Sequence, residues 1–448
     1  PNLGKEKSDF SELLQYFKGS EAQLFFERLS KGQVKVSYKP QAVDMIPKQI
    51  SGKVRELLEK ADEKKKLKQV AKLLDLTNIL DRSIKDLSGG ELQRVAIAAA
   101  SLKDANVYFF DEPTSFLDIS QRIRVSKFIR SLANPDTAVL VVEHDLVILD
   151  FMTDLVHVMY GEAGAYGIVS QAKPTRNAIN TYLGGYLKEE NVRFRDYEIK
   201  FSESPPEKLM QREPLVAWQG VKKTLGSFTL AADEGNIPKK NVIGIVGPNG
   251  IGKTTFVKLL AGVEEPDNGK ITGSVKVSYK AQYLDFDSDQ LVESFLKVDD
   301  VLARQLTLDP LMKKKVNELS GGELQRVAIA DCLSKNADLY LLDEPSAYLD
   351  VEQRLIISKV IRDRMEVSGK TALVVEHDLV FLDYLSDNMI VFEGEPALQG
   401  TANGTFSMEE GMNYFLKRLD ISLRRDEESL RPRINKKDSV KDREQKGK

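Results

Sequence analysis

Cysteine is almost missing from this chain: Cys332 is the single one in 448 residues. One thiol cannot close an intramolecular disulfide or build a cysteine-rich metal cluster within the chain; its expected place is a small, buried, apolar position beside a helix. Long apolar runs are missing too. No stretch approaches the 18 residues of a bilayer-spanning helix. Charge of one sign is not in excess, since the net charge is only −3, so there is no global electrostatic case for nucleic acid or membrane. No signal-peptide pattern opens the chain, and the expected compartment is the cytoplasm. The first residue is Pro1 and not Met. Histidine is scarce, with three in all. The length allows two or three domains, each able to bury its own core.

What the chain does have, it has twice. Leu87-Ser-Gly-Gly-Glu-Leu-Gln-Arg-Val-Ala-Ile-Ala98 recurs letter for letter as Leu319 to Ala330, 232 residues on. Asp111-Glu-Pro-Thr-Ser-Phe-Leu-Asp118 answers Asp343-Glu-Pro-Ser-Ala-Tyr-Leu-Asp350 at the same offset. Val-Val-Glu-His-Asp-Leu-Val occupies 141–147 and 374–380. Three ordered motifs at a near-constant separation mark a tandem duplication of one nucleotide-handling module. Two of the three histidines, His144 and His377, hold the repeated position; His157 does not, and reads as a packed residue.

Asn241-Val-Ile-Gly-Ile-Val-Gly247 reads as a buried strand, and Gly247-Pro-Asn-Gly-Ile-Gly-Lys-Thr-Thr255 follows it before a helical stretch. Strand, glycine-rich loop and helix together spell a phosphate loop. Gly247, Pro248, Asn249, Gly250 and Gly252 would let backbone N–H groups curl around phosphates. Lys253 would reach the β/γ oxygens, and Thr254, with Thr255 beside it, would hold Mg²⁺. Apolar runs at 107–110 and 339–342 enter the two acidic turns as buried parallel strands would, so each half is expected to be α/β with a mainly parallel sheet. Asp343 at its strand end is the natural Mg²⁺ ligand, and Glu344 points differently and can polarise the attacking water. Gln282 would join metal and water, and His377 would reach the γ-phosphate. Phe228 is a candidate for stacking on adenine and equally a core aromatic.

Ser88, Gly89 and Gly90, like Ser320, Gly321 and Gly322, precede a helix and form a second anion-binding N-terminus. Such a site is best used across an interface. Ser88 and Gly90 are therefore expected to cap the γ-phosphate held by Lys253, with the Ser115–Asp118 turn opposite, so that ATP joins the halves and hydrolysis releases them. The reciprocal site has Gln41 and Asp111 as metal ligands, Glu112 and His144 as catalytic residues, and Ser320, Gly322 and Asp350, but no phosphate loop.

The halves differ in two places. Between two matched segments, half 1 carries 24 extra residues that read as two short helices, Ser8 to Lys18 and one starting at Ser20 with a Ser-x-x-Gln capping box. They are either surface decoration or a functional insert. Half 1's phosphate loop would fall about 18 residues before Pro1, so either the sequence is a fragment, which the non-Met start favours, or one loop was lost. Residues 160–200 are glycine-punctuated and bear Arg193 and Arg195. Residues 417–448 hold 12 basic and 7 acidic residues and read either as a solvated tail or, with 160–200, as paired hinge elements.

The loop, Gln282, two Leu-Ser-Gly-Gly-Glu segments, two Asp-Glu-Pro turns and two histidines resemble the ATP-binding-cassette ATPases over nearly the whole chain. Identical Leu-Ser-Gly-Gly-Glu-Leu-Gln-Arg in both halves, Glu-His-Asp twice, the helical insert and the two arginine-bearing segments resemble, more narrowly, the ABC-E or RNase L inhibitor family, soluble proteins of archaea and eukaryotes; an archaeal member is expected. The resemblance implies an ATPase that splits ribosomal subunits and stays on the small one. It implies ribosomal RNA contact through the insert and hinges, a release or rescue factor as partner, and no membrane. The family's two [4Fe–4S] clusters could lie only in a domain upstream of this sequence.

The expected architecture is thus a monomer of two tandem cassettes: residues 1–159 with the insert at 6–32, a hinge at 160–200, the second cassette at 201–416, and a second hinge with basic tail at 417–448. Rival readings are an ABC-F-like translation factor, the energising subunit of a transporter, and a DNA-repair cassette. The first wants a long charged helical linker, the second a membrane partner, and the third a long coiled coil.

Overall fold

The computed structural model describes residues 9–162, 166–199, 201, 213–273, 275–281, 288–435 and 439–446. They form two compact units. One comprises the described residues up to Leu117 together with Gln121–Glu143; the other comprises Asp118–Ser120 and the chain from His144 on. Residues 144–159 therefore fold with the second unit.

In the first unit the insert forms α1 (Phe10–Tyr16) and α2 (Glu21–Ser30). Phe17 and Phe26 stack across the pair at 5.3 Å. The expected capping box does not form: Gln23 accepts from the Gly19 N–H at 2.7 Å, and the Ser20 hydroxyl donates to the Phe17 carbonyl. One residue of chain displacement is enough to redirect both bonds, because Gly19 and not Ser20 presents its amide to the glutamine. The expected beginning of the first helix at Ser8 lies outside the described residues. Beyond the insert, β1 (Val36–Lys39), β2 (Val107–Asp111) and β3 (Ala138–Val142) make a parallel sheet in that order. α3 (Gly89–Leu102) packs beside it, its N-terminus fixed by a reciprocal capping box between Ser88 and Glu91.

In the second unit, nine strands among the described residues form one mixed sheet. In chain order they are β4 (Pro214–Leu225), β5 (Phe228–Pro238), β6 (Val242–Val246), β7 (Asn268–Thr272), β8 (Val277–Lys280), β9 (Leu339–Asp343), β10 (Thr371–Val375), β11 (Asn388–Glu395) and β12 (Gln399–Ser407). The spatial order is β7-β4-β5-β12-β11-β6-β10-β9-β8, with the run from β11 to β8 all parallel. β6, β9 and β10 are buried along their whole length. That is why they are continuous apolar runs rather than alternating ones.

Helices cover both faces of the parallel run. α4 (Lys253–Leu260) carries Phe256 into one core, edge-on to Trp218 and Phe392. α5 (Gly321–Ser334), α6 (Val351–Ser368) and α7 (Leu379–Leu385) bury Val327, Ile361, Phe381 and their neighbours in the other core. Truncating Phe256 to Ala would cost about 3–5 kcal/mol, the range for a large aromatic in a closed core. Cys332 is buried on α5, where burial pushes its thiol up to about 11.

The two arginine-bearing segments meet within this unit. Asp426 accepts from Arg176, Asn180 and Arg433, and Asp150 accepts from Arg431 and Arg433. Arg431 is completely buried. Against the penalty of burial, N–H donors from Ser429 and Glu428, the Asn180 amide and the Arg176 charge hold the Asp426 carboxyl well below the usual range.

Candidate functional site

The register of the parallel strands assembles the site. Ile245 of β6 is level with Val375 of β10, and Val375 with Asp343 of β9. Three chain segments far apart in sequence therefore leave the sheet side by side at its carboxyl edge, where α/β folds place ligands.

After β6 comes the glycine-rich loop. Gly252 has φ +88°, and a Cβ there would lie 2.8 Å from the Phe228 ring; at Gly247 (φ +154°) it would lie 2.6 Å from the Phe392 Cβ. Only glycine satisfies both the backbone and the space. Lys253, buried, donates to the carbonyls of Gly247 (2.6 Å) and Pro248 (3.0 Å) and lies 3.4 Å from His377 Nε2. Burial pushes its amine down to about 8, opposed by the carboxylates of Glu344, Asp118, Asp343 and Glu376. Asp118 also accepts from the Asn249 N–H at 3.2 Å. Phe228 sits at the start of β5 with its ring over Gly252 and against the core.

Thr254 donates to Asp343 Oδ2 at 2.9 Å. Burial raises the Asp343 carboxyl, opposed by that bond and by Lys280, Lys253 and Tyr279. Glu344 follows with φ +45°, a conformation that strains a non-glycine residue by about 1–2 kcal/mol. Its Oε1 lies 3.6 Å from His377 Nε2. Glu376 is buried with its carboxyl pushed up to about 7, first by burial, and it accepts from the amides of Ser346 (3.1 Å) and His377 (3.0 Å). Asp350 caps α6 and Asp378 caps α7, and Arg354 of α6 donates to Asp378 at 2.8 Å. Gln282 lies outside the described residues.

The signature segments have a second use. Ser320 and Glu323 close a capping box as Ser88 and Glu91 do, so the serine oxygen accepts from the amide three residues on. The glycines make room for the acidic turn of their own half. A Cβ at Gly322 would meet the Tyr348 carbonyl at 3.0 Å, and one at Gly90 would meet that of Phe116 at 3.0 Å. Phe116 and Tyr348 have φ +65° and +62°.

The first unit repeats part of the arrangement. Gln41 donates to Glu112 Oε1 at 2.6 Å, and Tyr38, not Gln41, bonds Asp111 at 3.1 Å. Ser115 donates to Glu112 Oε2. His144 folds with the second unit, in a small crevice beside Val351, Arg354 and Asp378. His157 bonds the Ser170 carbonyl through Nδ1 at 2.8 Å.

The family model described as ABC transporter matches residues 12–115 and 230–347. All of the chain aligns with an uncharacterised ABC transporter ATP-binding protein of Methanocaldococcus jannaschii at 50% identity, over 76% of that protein. It superposes over its full length on an archaeal ribosome recycling factor, aABCE1, solved in complex with the ribosomal stalk protein aP1. That match has 55% identity and a TM-score of 0.94, and it covers 89% of that chain. The chain belongs to the ABC-E family. An equally full match, at 54% identity and TM-score 0.92 over 77% of the other chain, is found in the ribosome-bound assembly of archaeal Pelota and ABCE1.

As an ABC-E ATPase the protein hydrolyses ATP and uses Mg²⁺. The residues fit both. The glycine cradle leaves no space for a side chain, and the Thr254 hydroxyl and Asp343 carboxylate, hard oxygen donors, already touch. Sequence reasoning missed Lys280, Gln325, Tyr279 and Glu376. Three surround the Asp343–Glu344 turn from other strands or helices; like Glu376 beside His377, they fall in segments repeated between the halves, and that repetition was the signal for them.

Proposed function

We propose that the chain is an ATP-driven ribosome recycling factor that separates the ribosomal subunits and remains on the small one. The observation that carries the hydrolytic part is the convergence of Lys253, Thr254, Asp343, Glu344 and His377 at one sheet edge. Lys253 neutralises phosphate oxygens, and Glu344 orients and polarises the attacking water while His377 fixes the carboxylate from the far side. Mg²⁺ held by Thr254 and Asp343 would screen the charge on the β- and γ-oxygens. The Gly247–Thr255 loop binds the phosphates, Gln282 completes the metal site, and Phe228 flanks the base. Gln41, Asp111 and Glu112 serve the first site.

The ribosomal part is supported by the full-length likeness to a recycling factor and to a ribosome-bound relative. The insert suits RNA. Tyr16 and Phe25 are exposed and lie close in sequence to Lys18, Arg28 and Lys31, and such groups can stack on unpaired bases and neutralise phosphates of RNA. Residues 160–200 and 417–448, tied by Asp426, are the proposed hinges between and after cassettes at 1–159 and 201–416. A release or rescue factor of the Pelota kind is the proposed partner, in the cytoplasm. No helix among the described residues is long and apolar enough to cross a membrane. Co-sedimentation with small ribosomal subunits tests this reading. Deleting residues 9–31 should weaken sedimentation and leave nucleotide binding intact; equal sedimentation of the deleted and intact proteins would refute the role of the insert.

A further inference from the structure

Lys280 ends β8 with its side chain buried, 3% exposed, a rare place for an ammonium. Its Nζ donates to the carbonyl of Asp343 at 2.7 Å and to that of Glu344 at 3.3 Å. Gln325 of α5, equally buried, donates to the same Glu344 carbonyl at 2.7 Å. On the other side of the residue, the Glu344 amide donates to the Val375 carbonyl at 2.9 Å. Both peptide groups of Glu344 are therefore held from three different elements, β8, α5 and β10. The residue they hold has a left-handed backbone that relaxes unless its surroundings over-determine it.

The first unit contains the same construction. Lys39 of β1, fully buried, donates to the carbonyls of Asp111 (2.6 Å) and Glu112 (3.2 Å). Gln93 donates to the Glu112 carbonyl at 2.5 Å, the Glu112 amide donates to Val142, and φ of Glu112 is +43°. A buried ammonium is expensive to desolvate, and a methionine would fill the same space without that penalty. Using the cation in both units argues that its bonds matter.

We infer that Lys280 is a positioning residue for ATP hydrolysis, which with Gln325 pins the strained Glu344 backbone so that its carboxylate points at His377 and the attacking water. Lys39 and Gln93 hold Glu112 in the same way. The inference rests on the reading of Glu344 as the residue that polarises water. Gln325 lies in the signature helix of its own half, five residues after Ser320, so it also ties that helix directly to the orientation of Glu344.

Steady-state ATP hydrolysis by the intact protein tests it. Lys280→Met should lower kcat about 10- to 100-fold, the penalty of a small misplacement of a reacting group, with KM for ATP changed less than about twofold. Lys280→Arg should recover most of the loss. Gln325→Met removes one donor without touching the lysine, and should lower kcat in the same direction even if Lys280→Met folds poorly. In a Glu344→Gln background neither change should lower the rate further, because both act through Glu344. An unchanged kcat in Lys280→Met and Gln325→Met, or a loss confined to KM, overturns the inference. An unchanged kcat in Glu344→Gln alone overturns the reading beneath it instead.

Discussion

His377 Nε2 stands 3.6 Å from Glu344 Oε1, although the two are 33 positions apart in the chain. The cause is a strand register. Asp343 and Val375 are paired on neighbouring parallel strands, and each is followed within two residues by one of the pair. Lys253 approaches the same imidazole at 3.4 Å from the start of α4, after the glycine-rich loop that follows β6. Three parallel strands of one sheet thus set where Glu344, His377 and the loop leading to Lys253 leave its carboxyl edge.

Replacing Glu344 by Gln keeps the shape of the turn and removes the carboxylate proposed to polarise the attacking water. The expected result is a fall in kcat of about 100-fold or more with ATP retained on the protein. Steady-state turnover together with chromatography of the bound nucleotide checks this. Normal turnover would remove Glu344 from its role.

Gly252→Ala should weaken ATP binding at least ~10-fold, since strain of about 1–2 kcal/mol at positive φ adds to the steric clash with the Phe228 ring. In a Phe228→Ala background, where the ring proposed to flank the base is already absent, Gly252→Ala should still weaken binding, but by less than in the parent. Titration of the four proteins with a fluorescent nucleotide separates the clash from the backbone strain.

The Asp426 latch should make stability depend on acid. Its folded carboxyl is held below the ordinary 3.8, so its stabilisation is fully present above that value and is lost as pH falls through the lower folded one. Asp426→Asn should lower stability at pH 7 by roughly 1–3 kcal/mol, the cost of losing charged hydrogen bonds. The gap between variant and parent should shrink below about pH 4. Thermal unfolding at pH 7 and pH 3 measures it; a gap of constant size would show that the carboxylate charge is irrelevant.

Much of the site was legible because its chemistry is local. The Gly247–Thr255 loop needs glycines at fixed spacing whatever surrounds them, and the identical Ser-Gly-Gly segments, read as helix starts, do begin helices at Gly89 and Gly321. The same logic placed the two helices of the insert but misread the cap of the second. Ser20 and Gln23 have the spacing of a capping box, yet the glutamine side chain bonds Gly19, because the aromatic contact of Phe17 with Phe26 sets where the chain turns. Gln41, expected on the metal beside Asp111, donates to Glu112, and Tyr38 bonds the aspartate, a pairing that the spacing of these residues does not show.

Sequence alone determined the duplication, the cassette class and the strand–glycine loop–helix unit at 241–260, because these depend on backbone conformation and short-range spacing. Only the tertiary structure decided which buried cations serve the acidic turns, why Phe116 and Tyr348 require the signature glycines, and how Asp150 and Asp426 gather arginines from distant segments. Those relations are fixed by register and packing between elements, where the partner of a side chain is whatever strand or helix lies alongside, and no pattern along the chain encodes that neighbour.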